Sequence, residues 1–201
     1  MFRIVIGLII ALSSIAAQAE PDLAHGKELS AVCVACHGVD GNSPAGAFPS
    51  IAGQGHKYLV KQLVDIKDGN RTAVLMTGIL DNYTLQDMQD VAAYFANQVP
   101  QGGAADPDLV DLGETIYRAG IARKSVAACT ACHSPTGQGN SAAAFPMLAG
   151  QWAEYTETQL KAFRSGMRHN DGDSRMMRLT AMDLSDQEIA AVASYVRGLQ
   201  K

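Results

Sequence analysis

Aromatic residues are scarce in this 201-residue chain, 6% of the total with a single Trp. That is thin for a core built of side chains alone and points to a large buried cofactor supplying apolar volume. Basic charge is also short: 16 Lys and Arg against 20 Asp and Glu, a formal net charge of −4. Phosphate binding needs a basic face, so a nucleic-acid partner is not expected. No run beyond residue 20 is long and apolar enough to cross a bilayer, which takes about 20 helical residues. No segment alternates apolar and polar residues convincingly, as a half-buried strand does. Cysteine is confined to Cys33, Cys36, Cys129 and Cys132.

The chain starts Met1-Phe2-Arg3, continues as an apolar run from Ile4 to Ala17, and reaches Ala17-Gln18-Ala19. Small residues at Ala17 and Ala19 match the cleavage pattern of an export signal. Residues 1–19 are therefore expected to be a cleaved signal peptide, and the mature protein to be periplasmic. In an exported protein the default state of cysteines is the disulfide; their arrangement here argues for different chemistry.

The mature chain is an internal repeat. Phe48-Pro49 matches Phe145-Pro146, Ala52-Gly53-Gln54 matches Ala149-Gly150-Gln151, Tyr58 matches Tyr155, and Gln62-Leu63 matches Gln159-Leu160. The offset is 96 at the cysteines and 97 from Phe48 onward; a closing block, Asp87–Phe95 against Glu188–Val196, repeats at 101. The added residues fall near Asn170–Asp173, a turn-rich stretch. Val99 to Pro107 holds two Gly and two Pro and reads as a linker. Two domains follow, 20–100 and 101–201. Apolar residues at helical spacing predict helices over Leu23–Val32 and His56–Ile66. Thr84 and Ser185 stand as N-caps for Leu85–Asn97 and Asp186–Leu199, the second with Glu188 at the capping-box position. The fold class is all-α: two tandem helical domains.

Cys33-Val34-Ala35-Cys36-His37 and Cys129-Thr130-Ala131-Cys132-His133 are both C-x-x-C-H, the signature of c-type haem attachment. Two intervening residues set the span between thioether bonds to the two vinyl positions on one porphyrin edge. The following His is directed at the iron. A thioredoxin-like motif requires a βαβ context, which is not visible. A zinc site requires a fourth ligand that neither copy supplies convincingly. A plain disulfide has no use for His37 and His133. Two covalently bound haem c groups are expected.

The second axial ligand should repeat as the first does. His25, His56 and His169 have no counterparts in the other copy and are read as surface residues. Met76 maps onto Met177 at offset 101, and each stands 18 residues before the matching tyrosine, Tyr94 or Tyr195. Met176 is the competitor of Met177. Met88, Met147, Met167 and Met182 default to packing. Thioether sulfur favours ferrous iron, and a His/Met pair leaves no open coordination site. The iron then exchanges electrons through the porphyrin edge. The carbonyls of Pro49 and Pro146 are candidates to accept the remaining N–H of His37 and His133, the bond that orients ligand histidines.

Residues 20–100 hold 5 basic and 9 acidic groups, and residues 101–201 hold 10 and 11. Arg164, Arg168, Arg175 and Arg178 cluster in sequence near Met177, a patch able to orient a redox partner.

The FPxLAGQ-like segment after each CxxCH, MTGIL at Met76–Leu80, NDGDSRMM at Asn170–Met177 and SYVRGL at Ser194–Leu199 resemble the diheme cytochrome c4 family over nearly the whole mature chain. The segment between Gly69 and Met76 is shorter than in some members. The resemblance implies two cytochrome c folds facing each other across an approximate twofold axis, with the haems near the interface. It implies His/Met ligation at both irons, by Met76 and by the second Met of the pair, Met177. It further implies an electron carrier, not an enzyme, between the quinol-oxidising side of a respiratory chain and a terminal oxidase. Redox proteins are then its partners, with peripheral association at membrane complexes. The competing reading is a diheme enzyme of peroxidase or thiosulfate-oxidising type, which needs one iron with a displaceable ligand. Agreement between the two copies favours the carrier.

Overall fold

The helix starts read from the sequence are built as capping boxes. In the computed structural model, which describes residues 19–200, Thr84 Oγ1 accepts from Asp87 N–H while Asp87 Oδ2 accepts from Thr84 N–H at 2.8 Å. Ser185 and Glu188 repeat the arrangement a hundred residues later. Residues 1–18, most of the expected export signal, lie outside the described residues.

In the first half, α1 (Leu23–Leu29), α2 (Val34–His37), α3 (His56–Lys67) and α4 (Leu85–Ala96) follow in order, with α1 and α3 both packed on α4. The second half holds α5 (Val110–Ala119), α6 (Thr130–His133), α7 (Ala153–Ser165), α8 (Met176–Ala181) and α9 (Asp186–Gly198). Here α5 and α7 pack on α9. Among the described residues β-structure is limited to two isolated bridges, Ile121 with Val126 and Asn140 with Phe145. No described helix is long and apolar enough to cross a membrane.

Each half has its own small core. Leu59, Val91, Ala92 and Phe95 form the first, and Ile116, Tyr117, Leu184, Ile189, Val192, Tyr195 and Val196 belong to the second. Burial of one such large side chain stabilises by about 1.5–3 kcal/mol. Cys33 and Cys129 pack against these clusters, so the attachment turns are part of the cores.

Two glycines let the terminal helices of each half cross closely. A Cβ on Gly26 would lie 2.1 Å from the Asp90 carbonyl oxygen, and one on Gly113 would lie 2.3 Å from that of Ala191. This pairing escapes the repeat alignment because Gly26 precedes Cys33 by 7 residues and Gly113 precedes Cys129 by 16. The extra residues form the turn around the Ile121–Val126 bridge. The halves differ again before their last helix. Met76 closes a 3-10 turn, Val74–Met76, whereas Met177 lies in the first turn of α8.

Candidate haem sites

Each CxxCH segment is a single helical turn. It is closed by His37 N–H to the Cys33 carbonyl and His133 N–H to the Cys129 carbonyl, both at 2.9 Å. One turn of about 3.6 residues gathers two sulfurs and an imidazole at one place. The chain leaves α2 through Gly38 at φ 80°, ψ 162°. It leaves α6 through Ser134 at φ 67°, ψ 160°, a region natural only to glycine. Tyr117 Oη donates to the Ser134 carbonyl at 2.7 Å, and Ser134 Oγ accepts from Gln138 N–H at 2.9 Å; both bonds hold the strained serine.

His37 and His133 are buried, 9% and 6% exposed. Nδ1 of His37 is 2.9 Å from the Pro49 carbonyl, and Nδ1 of His133 is 2.9 Å from that of Pro146. These are the two carbonyls singled out in the sequence. A carbonyl only accepts, so each Nδ1 carries the proton and each Nε2 presents a lone pair. Burial lowers both imidazole pKa values and keeps the rings neutral at physiological pH, against the opposing effect of the carbonyl bond. The Phe145 ring tilts against His133, centroids 6.4 Å apart.

The four cysteines are half-buried, and none is paired with another in a disulfide. Burial pushes the Cys33 and Cys129 thiols up to about 11, unlike the activated cysteine of a redox motif. In the first half a cavity of about 300 Å³ is lined by Met76, Arg71, Ile66, Thr77 and Leu80. In the second, Met177 is half-buried while its neighbour Met176 is 44% exposed. Met88 lies in the first core, and Met167 and Met182 are exposed. Met147 lies between the halves, bonded to Gln54. His25 bonds Asp90 at 2.8 Å, His56 bonds the Gln89 carbonyl at 3.1 Å, and His169 is exposed. Two thiols and a neutral imidazole in one turn, occurring twice, are a donor set that fits haem c.

Repeated residues without an evident role in the sequence build the contact between the halves. Gln54 Nε2 donates to the Met147 carbonyl at 2.9 Å, and Gln54 Oε1 accepts from Met147 N–H at 2.8 Å. Gln151 grips Ser50 in the same two ways, at 2.8 and 2.9 Å. Arg71 reaches Gln62 of its own half and Tyr155 of the other, at 2.8 and 2.9 Å. Arg168 reaches Gln159 at 2.7 Å, then Gln62 and Tyr58 across the interface at 3.1 and 3.2 Å. Arg71 and Arg168 stand at offset 97, so the repeat extends further than the motif residues that revealed it. Trp152 donates its indole N–H to the Ser43 carbonyl at 3.0 Å and carries the Arg197 guanidinium 3.9 Å above its ring.

The arginine patch expected near Met177 does not form. Arg168 is buried between the halves, Arg164 is held by the Leu184 carbonyl and Asp186, and Arg178 is held by Asp171. Only Arg175 of the four is exposed. Amide and phenol groups take up Arg168 while Asp186 and Asp171 hold Arg164 and Arg178, so charges that sit together in the sequence are separated.

A family model of cytochrome c matches residues 23–98 and again 110–200. Two such domains, each with its own attachment turn, define a dihaem c-type cytochrome, an electron carrier with two covalently bound haem c groups. The chain is 52% identical over 192 residues to cytochrome c4 of Azotobacter vinelandii, spanning 91% of each chain. It is 50% identical over 200 residues to cytochrome c4 of Pseudomonas aeruginosa, spanning 99% of this chain and 100% of that one. The crystal structure of reduced recombinant cytochrome c4 from Pseudomonas stutzeri superposes with a TM-score of 0.88 at 49% identity, covering 90% of this chain and 100% of that one. The chain belongs to the cytochrome c4 family.

Proposed function

We propose that Cys33 and Cys36 attach one haem and Cys129 and Cys132 the other. His37 with Met76, and His133 with Met177, are the axial pairs. In this reading the protein is exported to the periplasm and passes single electrons from the quinol-oxidising side of a respiratory chain towards a terminal oxidase. It meets redox proteins on both sides, free or peripherally bound at membrane complexes. Haem c, when bound, supplies an iron that takes up or releases one electron.

The observation that carries the reading is the matched pair of histidine bonds. Pro49 and Pro146 hold His37 and His133 in the same tautomer, each with Nε2 available as a ligand. Met76 and Met177 are half-buried, as ligands enclosed by the fold must be, whereas Met176 is exposed. With both axial positions filled in both halves, a small substrate has no iron to bind, and this favours the carrier over the enzyme.

The test is the absorption spectrum of the oxidised protein, which is expected to show the weak sulfur-to-iron band at the red end. Met76→Ala and Met177→Ala each remove about half of it and turn one haem high-spin, while Met176→Ala leaves it intact. Loss of the band on Met176→Ala would transfer the ligand role to that neighbour. Ready binding of carbon monoxide to the reduced wild-type protein would overturn the carrier assignment.

A further inference from the structure

The bond that orients each histidine does not end at the proline. His37 Nδ1–H donates to the Pro49 carbonyl at 2.9 Å. The N–H of the same peptide unit, on Ser50, donates to Gln151 Oε1 of the other half at 2.9 Å. The mirror chain runs from His133 to the Pro146 carbonyl at 2.9 Å, and from Met147 N–H to Gln54 Oε1 at 2.8 Å. Each glutamine also donates its side-chain N–H to the carbonyl of that same Ser50 or Met147. Each Oε1 further accepts from the backbone N–H of the residue after it, Gly55 or Trp152, at 2.9 and 3.0 Å. The carboxamide is thus fixed at both ends, and Gln54 is only 5% exposed.

We propose that Gln54 and Gln151 are crossed positioning residues, each setting the electron-donating strength of the histidine in the opposite half. A peptide unit whose N–H is engaged holds more negative charge on its carbonyl oxygen, because hydrogen bonds in a chain polarise one another. A stronger carbonyl acceptor draws the His Nδ1 proton and makes Nε2 the better donor to iron, which favours the ferric state. The proposal rests on His37 and His133 being iron ligands. It adds that the potential of each haem depends on a side chain supplied by the other half. Correct docking of the two halves therefore enters both potentials, with no contact between a glutamine and a haem required.

Gln54→Met keeps the length of the side chain and removes its hydrogen bonds. In the full-length holoprotein, the haem attached at Cys129 and Cys132 is expected to favour the ferrous state by roughly two- to threefold more. At about 59 mV per tenfold for a one-electron couple, this is ~20–30 mV upward. The haem of the first half moves less. Gln151→Met gives the reverse pattern. In the reduced, diamagnetic protein the His133 Nδ1 proton resonance moves upfield with Gln54→Met while that of His37 stays. Gln54→Glu retains the acceptor and strengthens it, so the same resonance stays or moves downfield. General loosening of the interface would instead move both variants the same way. A shift confined to the variant's own half, or identical shifts in Gln54→Met and Gln54→Glu, would overturn the crossed role. Failure of the ligand assignment is distinguishable, because the His37 and His133 ring protons of the reduced wild-type protein would then lack the large upfield ring-current shifts of an imidazole held against the haem iron.

Discussion

At the scale of single residues, the attachment turns are governed by the position that follows them. Gly38 and Ser134 share a backbone geometry that only glycine adopts without strain. In the first half a Cβ at this position would also lie 2.3 Å from the Asn42 carbonyl oxygen. Gly38→Ala is therefore expected to destabilise the first half by about 3 kcal/mol. Urea unfolding followed at the Soret band of each haem checks this, and an unchanged midpoint would disprove it. The second half tolerates Ser134 because Tyr117 and Gln138 bond it from either side. The strain was invisible in the sequence: Gly38 and Ser134 follow identical CxxCH motifs, and nothing in Ser134 announces a positive φ.

At the scale of elements, the last helix of the second half is charged at its start in a way that makes stability depend on acid. Glu188 Oε2 accepts from Ser185 N–H and from Lys124 Nζ, each at 2.7 Å. The Lys124 bond, then the Ser185 backbone bond, pull its carboxyl from 4.5 down to about 2. A carboxylate whose pKa falls on folding stabilises the native state above its unfolded value. That contribution is full above about pH 4.5 and is lost as pH falls towards 2. Glu188→Gln is expected to flatten this slope and to remove about 1 kcal/mol of capping at neutral pH. Thermal unfolding recorded from pH 2 to 6 reads both effects; parallel curves for wild type and variant would rule the linkage out. The box itself was legible, since Ser185 and Glu188 are three residues apart, but Lys124 arrives from 64 residues away.

At the scale of the whole molecule, the two halves are joined through polar groups rather than a shared apolar core. Arg168 is 9% exposed and spends its guanidinium on Gln159, Gln62 and Tyr58. Its aliphatic and planar surface covers Phe163, 4.5 Å from the ring centroid. Arg168→Met keeps the packing and leaves these partners, together with Asn170 Oδ1 bonded by Arg168 Nε at 3.0 Å, short of a bond. The expected penalty is roughly 2–4 kcal/mol, concentrated on the contact between halves. Calorimetry is then expected to resolve two unfolding transitions where the wild type shows stronger coupling; an unchanged thermogram would place the coupling elsewhere.

Motif, repeat and capping were readable because they are short-range or periodic. Two cysteines and a histidine within five residues, a proline twelve or thirteen residues on, and a Ser or Thr before an acidic residue all act within or beside a single turn. The number of domains, the helical class and the paired donor sets follow from those local rules. Contacts between halves could not be read this way. Gln54 with Met147 and Gln151 with Ser50 join residues 93 and 101 apart, and Arg168 meets Tyr58 across 110. Which copies of a repeated residue face one another depends on how two finished domains dock. Docking also moved Arg168 from an expected surface patch into the interface and gave Trp152, which stands where the first copy has Gly55, a carbonyl to bind. The sequence alone determined that there are two haem-binding units, because attachment is local chemistry. Only the tertiary structure decided that each unit's histidine is braced from the other, because that bond needs both surfaces in place.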